Sequence, residues 1–513
     1  MTAKIKRDTV IIDENTALEH VKDGMTIALG GFITTQHSMS MIRGIAKRGF
    51  KNLTVIGSLS PALDVDLLVG CGCVRRIVAA YVGAEAAAPM GPFFKKAAEK
   101  EEIDIWESDE IIIAAMLKAT AFGLPFFPVR GGLGTDLPKL NPELKTFHDP
   151  INNEPLLAVP AMHIDIAFTH ASKADQYGNT QYVGNSFIDS LMCRAADMTI
   201  TTVEKIVSPE EIRRDPFKTE YQADLIVRAP FGAHPYSCHG FYMEDEEHLA
   251  EYATAAYSSI KGDQSSWESY RTKYIETPSD HLDYLEQIGI RKLFSLNDHG
   301  PNMKITMGSF SVNLEGVNQV MTSKYFTDFR PVRWAESAAN FSFDLFTFHK
   351  LDVFFISGIQ IDAYGNTNLI GIPGNGKKFK FRGPGSIGTT TLAALARRYY
   401  IVTEHHTPRL FVEKCDYISA LGFGDGAPDL RQRLCLPGKG PKYCVTPLCI
   451  FDFSPKTHRM RICSLHPGIT LDQVMENTAF EPEIPDTIPE TSPPKKMELD
   501  ILRQRVDPEG LLR

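Results

Sequence analysis

The sequence predicts an α/β protein built from two homologous open-sheet domains, with mostly parallel sheets flanked by helices. Three observations predict it. Short apolar runs alternate with helix-patterned segments, the pattern of a parallel sheet. Residues 165–181 (DIAFTHASKADQYGNTQ) and 352–368 (DVFFISGIQIDAYGNTN) repeat one design, an apolar run followed by a polar stretch and Asp-x-Tyr-Gly-Asn-Thr. The offset is constant, since Asp352 minus Asp165 and Asp362 minus Asp175 both give 187. A period this long, seen twice, marks a duplicated domain and not a solenoid.

The elements follow in order. Asn15-Thr16 caps a helix that runs to Val21, and Asp23-Gly24 turns the chain into a buried strand, Met25 to Leu29. Gly30-Gly31-Phe32 ends that strand, and helical spacing resumes from Ser38 to Lys47. A second strand, Lys51 to Ile56, ends at Gly57-Ser58. Parallel sheets place ligands at the carboxyl ends of their strands, which puts both glycine turns at the binding edge. A helix over Ile111–Thr120 leads through Leu124–Val129 to a glycine-rich loop, Arg130 to Asp136. The strand Met198–Glu204 has its echo in Tyr400–Glu404, and Lys304–Phe310 echoes Thr26–Phe32. Residues 262–300 are polar and helix-prone and read as the joint between halves. Residues 481–497, rich in Pro and acids, read as a surface tail before a last helix.

Bulk properties exclude several function classes. The 513 residues, 43% hydrophobic, are enough for two or more separate cores. A net charge of −9 argues against a general nucleic-acid partner. The absence of an 18-residue apolar run argues against a membrane span. The N-terminus lacks a signal-peptide core, so a cytoplasmic enzyme is expected. The nine cysteines are scattered, and Cys71-Gly-Cys73 is too close for ordinary zinc pairing. Reduced thiols and no metal are expected.

Several motifs compete for chemistry. Gly383-Pro-Gly385-Ser386-Ile-Gly388 follows the basic run Lys377–Arg382 and precedes a helix from Thr389 to Arg398. Its backbone N–H groups suit an anion, and the lysines suit phosphates. It is neither a P-loop nor a dinucleotide fingerprint. Glu336, after the strand-like Pro331–Ala335, would sit at that strand's carboxyl edge, where a carboxylate can act as a covalent nucleophile or pair with Arg333 as a surface acid. Glu110 opens a strongly apolar helix, where the helix dipole alone also favours an acid. Glu315 precedes a glycine within a helical stretch. His163, His170, His405 and His406 form no helical metal pair and read as ordinary hydrogen-bonded histidines.

Taken together these segments resemble the family I CoA-transferases, in the glutaconate CoA-transferase branch, with the A and B subunits fused in that order. The first half carries IALGGF (27–32), GLPFFPV (123–129), PEEIRRDP (209–216), APFGAHPYSCHGFY (229–242) and DHLDYLEQIGIRKL (280–293). The second carries GIQIDAYGNTN (358–368), FRGPGSIGT (381–389), CLPGKGP (435–441) and SLHPGITLDQVMENTAFE (464–481).

The resemblance implies an A-type domain over residues 1–285 and a B-type domain, shortened at its front, over 286–513. It implies a B-half glutamate that attacks an acyl-CoA and passes through a glutamyl-CoA thioester. The usual B-half motif is Glu followed by a small residue and Gly. Its nearest match is Glu336-Ser337-Ala338, with alanine in place of glycine; Glu315-Gly316 is the second. Expected oxyanion and CoA-binding positions are Gly30, Gly31, Phe32, Gly358, Gln360, Gly383, Gly385 and Ser386. Coenzyme A enters as substrate, with no cofactor, and the other partner is a carboxylic acid. A homo-oligomer of the fused chain is expected. The same fold includes a steroid-ring CoA-thioester hydrolase, which uses an A-half glutamate at the position of Glu110. Acid/base hydrolysis by Glu110 is therefore the alternative, and a non-catalytic acyl-CoA sensor a third reading.

Overall fold

A computed structural model describes residues 8–84, 88–183, 186–242, 244–288, 353–375, 378–501 and 503–504. Lys304–Phe310, Glu315, Glu336 and Lys377 lie outside the described residues. Packing cuts across the linear order of the chain. One compact unit spans Met1–Trp106, Thr120–Gly123 and Met162–Ser342; the other spans Glu107–Ala119, Leu124–Ala161 and Phe343–Arg513. A stretch of the first half thus packs with the second.

The first unit is organised on a ten-stranded sheet. Its main path runs Ile11–Ile12, Leu225–Arg228, Met198–Val207, Ile166–Asp175, Thr26–Leu29, Leu53–Ile56, Val74–Ala79 and Asp104–Glu107. Pairing is parallel from Ile11–Ile12 through Val74–Ala79. Leu53–Ile56 is buried throughout, as a central strand covered on both faces must be. The helix Met39–Arg48 buries every residue from Met39 to Ala46 and stops at Gly49, which takes φ +68° in the left-handed region. The first helix is shorter than expected, Glu14–Leu18, and its cap is Asp13, whose carboxylate accepts the Thr16 N–H at 2.9 Å.

The described part of the polar stretch 262–300 contributes to the core of the first unit. Trp267, Tyr270, Tyr274 and Tyr284 are buried in the segments that follow the helix Glu246–Lys261. The Arg43 guanidinium lies 3.6 Å from the Tyr284 ring centroid. The polar residues that dominate this stretch lie between aromatics spaced for one helical face, so composition hides the packing.

The second unit carries a five-stranded sheet in the order Val353–Ile356, Arg398–Val402, Pro441–Val445, Cys449–Phe453, Met460–Leu465. Its first two pairings are parallel and its last two antiparallel. Within Leu124–Val129, Phe126–Val129 forms a strand in a separate antiparallel sheet with Pro155–Pro160 and Lys145–His148. The proline-rich tail is not loose. Ile462 N–H bonds Glu483 O, Leu465 N–H bonds Pro489 O, and Thr491 N–H bonds Leu465 O. The tail therefore covers the otherwise open edge strand Met460–Leu465.

The sequence repeat is a repeated turn. Asp175 accepts the N–H groups of Tyr177 and Asn179 at 2.9 and 3.0 Å, and Gly178 has φ +85°. Asp362 accepts those of Tyr364 and Asn366 at 3.0 and 3.1 Å, and Gly365 has φ +70°. The motif bends the chain through an Asx turn, and its aspartate is consumed in making that bend. A second repetition follows at an offset of 200. Phe187 and Ile387 (387 − 187 = 200) both take left-handed φ values, +48° and +52°. Each stands just before a short helix, Asp189–Ala195 and Thr389–Leu395 respectively. Among the described residues, no helix is long and apolar enough to cross a membrane.

Candidate active site

In the second unit two helix starts meet. Asp109 accepts the Ile112 N–H at 3.0 Å and so caps the helix Glu110–Ala121. The same carboxylate accepts the N–H and the hydroxyl of Thr391, both at 2.9 Å, at the start of Thr389–Leu395. Burial pushes the Asp109 carboxyl up to about 6, against the hydrogen bonds from Thr391 and Ile112 that lower it. This clamp sets Glu110 against the Gly383–Gly388 loop. The Glu110 N–H donates to Ile387 O at 3.1 Å. A β-carbon on Gly388 would stand 2.9 Å from Glu110 Oε2, so a side chain there would displace the carboxylate from this position.

The loop is anchored on its other side by charge. Arg382 and Glu107, both 1% exposed, form a bidentate pair, with Nη2–Oε2 at 3.1 Å and a still shorter Nη1–Oε1 contact. Arg382 therefore does not serve as a solvent-facing phosphate ligand at the end of the basic run. The N–H groups of Gly383 and Gly385 are spent on Ile370 O and Leu369 O at 2.8 and 3.3 Å. The Ser386 hydroxyl is different: it is buried and has no hydrogen-bond partner among the described residues. It is one group in this loop without a protein partner among the described residues. Gln360 is engaged within the protein, donating to Asp416 Oδ2 and accepting from Asn368 Nδ2 and the Asp416 N–H. Gly358 is glycine because a β-carbon would press on Gln360 O at 2.8 Å.

In the first unit the glycine turn is likewise closed on itself. The N–H groups of Gly30, Gly31 and Phe32 donate to Phe168 O, Asp189 Oδ1 and Thr35 O at 2.8, 2.9 and 2.9 Å. As backbone donors these three positions are occupied. Asp189 also accepts the Tyr182 hydroxyl at 2.8 Å, and burial pushes its carboxyl up to about 7. Polarity at this sheet edge comes instead from Ser58, in the Gly57-Ser58 turn read from the sequence, and from Thr34, Gln36 and His37, which the motifs do not single out. The visible signal is a run of hydrogen-bonding residues, Thr-Thr-Gln-His-Ser (34–38), directly after the strand-ending glycines. Asp109 also escapes the motif reading, although a Ser-Asp-Glu step before an apolar run is a capping signal.

The histidines behave as ordinary hydrogen-bonded side chains. His406 pairs with Thr446 and Thr478 at 2.9 Å each. His170, Glu204 and Cys238 form a buried group whose donor atoms lie within 4.8 Å of one another. Glu204 Oε1 there already meets His170 Nε2 and the Tyr242 hydroxyl, at 2.9 and 2.7 Å, so the carboxylate is satisfied within the protein.

The coenzyme A transferase family model matches this chain over residues 12–222 and 314–477. The chain belongs to the coenzyme A transferase family. Among its relatives, a protein of Archaeoglobus fulgidus with no assigned role is 34% identical over 286 residues, 55% of this chain and 62% of that protein. The A subunit of glutaconate CoA-transferase from Acidaminococcus fermentans is 30% identical over 54% of this chain and 91% of its own length. The cholesterol ring-cleaving hydrolase IpdA subunit of Rhodococcus jostii is 31% identical over 56% of this chain and 97% of its own length. The B subunit of 3-oxoadipate CoA-transferase from Pseudomonas knackmussii is 38% identical over 154 residues, 30% of this chain and 58% of its own length. An acyl-CoA transferase of Escherichia coli O157:H7 shares the fold over 94% of this chain and 95% of its own, with TM-score 0.64 and 15% identity. This transferase-family chain therefore carries both subunit types in one polypeptide.

Proposed function

We propose that the protein transfers CoA from an acyl-CoA donor to a carboxylic acid. The observation that carries this reading is the family match over both halves of a single chain. The likeness of the first half is shared between transferase and hydrolase subunits, so it does not separate the two chemistries. The second half is similar to the B subunit of a transferase, which favours transfer over hydrolysis.

In this mechanism Glu336 attacks the donor thioester carbonyl and expels CoA thiolate, leaving an acyl-glutamyl anhydride. The thiolate attacks the glutamyl carbonyl, releases the donor acid and leaves a glutamyl-CoA thioester. The acceptor carboxylate repeats these steps in reverse, so one thioester replaces another. Ser386 is our candidate donor to an oxyanion, and Glu110, fixed by the Asp109 clamp, orients or polarises the reacting group. Losing one oxyanion donor costs about 3 kcal/mol in other enzymes, roughly a hundredfold in rate. Coenzyme A is substrate, no other cofactor is needed, and the protein works in the cytoplasm as a homo-oligomer.

The test is trapping. The protein is incubated with an acyl-CoA, treated with hydroxylamine or borohydride and mapped by mass spectrometry. Modification at Glu336 is the expected result. Release of free CoA without modification, abolished by Glu110→Gln, would overturn transfer in favour of hydrolysis.

A further inference from the structure

Three residues of the first unit bring metal-type donors to one point. His170 lies on the strand Ile166–Asp175, Glu204 on the neighbouring strand Met198–Val207, and Cys238 in the loop that follows Leu225–Arg228. The parallel register sets His170 opposite Thr202. Side chains alternate between faces, so His170 and Glu204, two residues past Thr202, project from the same face of the sheet. All three side chains are buried, and their donor atoms lie within 4.8 Å of one another. The expectation of no metal rested on short spacings, whereas these residues stand 34 positions apart, as 204 − 170 and 238 − 204 both show.

The spacing suits a small divalent ion. In tetrahedral zinc sites, with bonds of about 2.0–2.3 Å, neighbouring donor atoms stand roughly 3.3–3.6 Å apart. His170 Nε2 and Glu204 Oε1 are 2.9 Å apart, a little closer than that, and the widest separation in the cluster is at most 4.8 Å. Small side-chain shifts therefore admit an ion, with no change in the backbone.

The surrounding groups hold the donors in place. The Tyr242 hydroxyl donates to Glu204 Oε1 at 2.7 Å, and the Phe231 N–H donates to Oε2 at 2.8 Å. Thr202 Oγ1 lies 2.8 Å from His170 Nδ1 and donates to Thr169 O at 3.2 Å, so it can accept the Nδ1 proton and leave Nε2 with its lone pair. Metal sites use such partners to fix an imidazole and to steady a ligating carboxylate. The Cys238 N–H bonds Tyr242 O, while its thiol has no hydrogen-bond partner among the described residues. A hydrogen-bonded histidine–glutamate pair has no use for that sulfur; a zinc-class ion does.

We propose that His170, Glu204 and Cys238 bind a zinc-class divalent ion that ties the Cys238 loop to the sheet. On binding, the sulfur gives its proton to solvent and coordinates as thiolate, and the imidazole coordinates through Nε2. The ion takes no part in exchange; its role is structural. Ser237, next to Cys238, donates its N–H to Thr34 O and accepts the Gln36 N–H, at 3.0 and 2.8 Å. The tethered loop thereby backs the segment that follows the Gly30–Phe32 turn. The site does not depend on the transfer reading.

The experiment is cobalt substitution in the full chain. Protein stripped with a chelator is titrated with Co²⁺, and a thiolate-to-cobalt charge-transfer band in the near ultraviolet is expected, saturating at one ion per chain. X-ray absorption at the cobalt edge should count one sulfur, with nitrogen and oxygen as the other donors. Two sulfurs would assign the ion to Cys71-Gly-Cys73 and refute the proposal. Cys238→Ser should lose the band and bind Zn²⁺ at least tenfold more weakly, while Cys71→Ser keeps both. Zn²⁺ should raise the melting temperature of the parent and leave that of Cys238→Ser where it is. If Cys238→Ser does not fold, the sulfur count on the parent decides. Ser386→Ala should slow exchange yet bind cobalt as the parent does, which separates this site from the transfer reading. Absence of the band, a band that survives in folded Cys238→Ser, or melting of the parent that ignores Zn²⁺ refutes the proposal.

Discussion

Replacing Arg382 with methionine tests how the Gly383–Gly388 loop is held. Arg382 and Glu107 are each 1% exposed and bind through both guanidinium nitrogens. Methionine keeps much of the apolar stem beside Phe379, whose ring centroid lies 4.9 Å from the guanidinium carbon. It leaves the Glu107 carboxylate buried without its partner. Removing one member of a buried pair costs about 3–5 kcal/mol, most of it the penalty on the abandoned charge. A unit of this size loses about 2–4 °C per kcal/mol, so its melting transition should fall by roughly 6–20 °C. Removing both charges, as in Glu107→Leu with Arg382→Met, takes away that penalty and should return most of the loss. Calorimetry on the four proteins of the cycle reads this directly. A single variant within about 2 °C of the parent, or a double variant no better than the single, refutes the claim that this pair anchors the loop.

Three further outcomes follow from the same geometry. Gly388→Ala sets a methyl 2.9 Å from Glu110 Oε2, and since Gly388 has φ −89° the backbone accepts it; exchange should fall at least tenfold with melting almost unchanged, roughly a 1.4 kcal/mol effect confined to the site. Asp189 is pushed up to about 7, so between pH 4 and 7 the folded protein keeps a proton that the unfolded chain has released. Its contribution to stability therefore falls as pH rises through that window, by on the order of 4 kcal/mol, and Asp189→Asn should flatten the curve in urea denaturation across pH 4–8. Asp362→Ala strands the N–H groups of Tyr364 and Asn366, which should cost about 1–3 kcal/mol in thermal or urea unfolding and leave KM for acyl-CoA unchanged.

Much of the frame is legible because it rests on local periodicity. Met25–Leu29 and Lys51–Ile56 read as buried parallel strands, and Thr26–Leu29 and Leu53–Ile56 are such strands. The helix read over Ile111–Thr120 is Glu110–Ala121. What local pattern does not convey is long-range pairing. Arg382 looks like the end of a basic run until Glu107, 275 positions earlier, neutralises it. The tail 481–497 looks loose by composition, yet its backbone bonds the strand Met460–Leu465. Donor status is equally invisible, because a glycine-rich turn reads as free N–H groups whether or not Asp189 or Phe168 has already taken them.

The duplicated loop carries two different sets of side chains on one repeated backbone turn. Both copies place a serine, a left-handed apolar residue and then a short helix, so both begin with the same bent backbone. They diverge at the two residues that follow. The first copy has Ile188-Asp189, and the aspartate is spent inside the protein on Gly31 N–H and the Tyr182 hydroxyl. The second has Gly388-Thr389, which removes both the bulk and the internal carboxylate, and Glu110 comes from a different part of the chain to lie against the vacated β-carbon position. The acid at the second turn thus belongs to another helix, and the turn itself is spared the task of binding it. Ser386, whose hydroxyl is left unpaired in the same loop, completes the difference. The second copy lacks the bulk and the aspartate found in the first, so the Asp-x-Tyr-Gly-Asn-Thr motif that announces the duplication is separate from the residues proposed to act at the site.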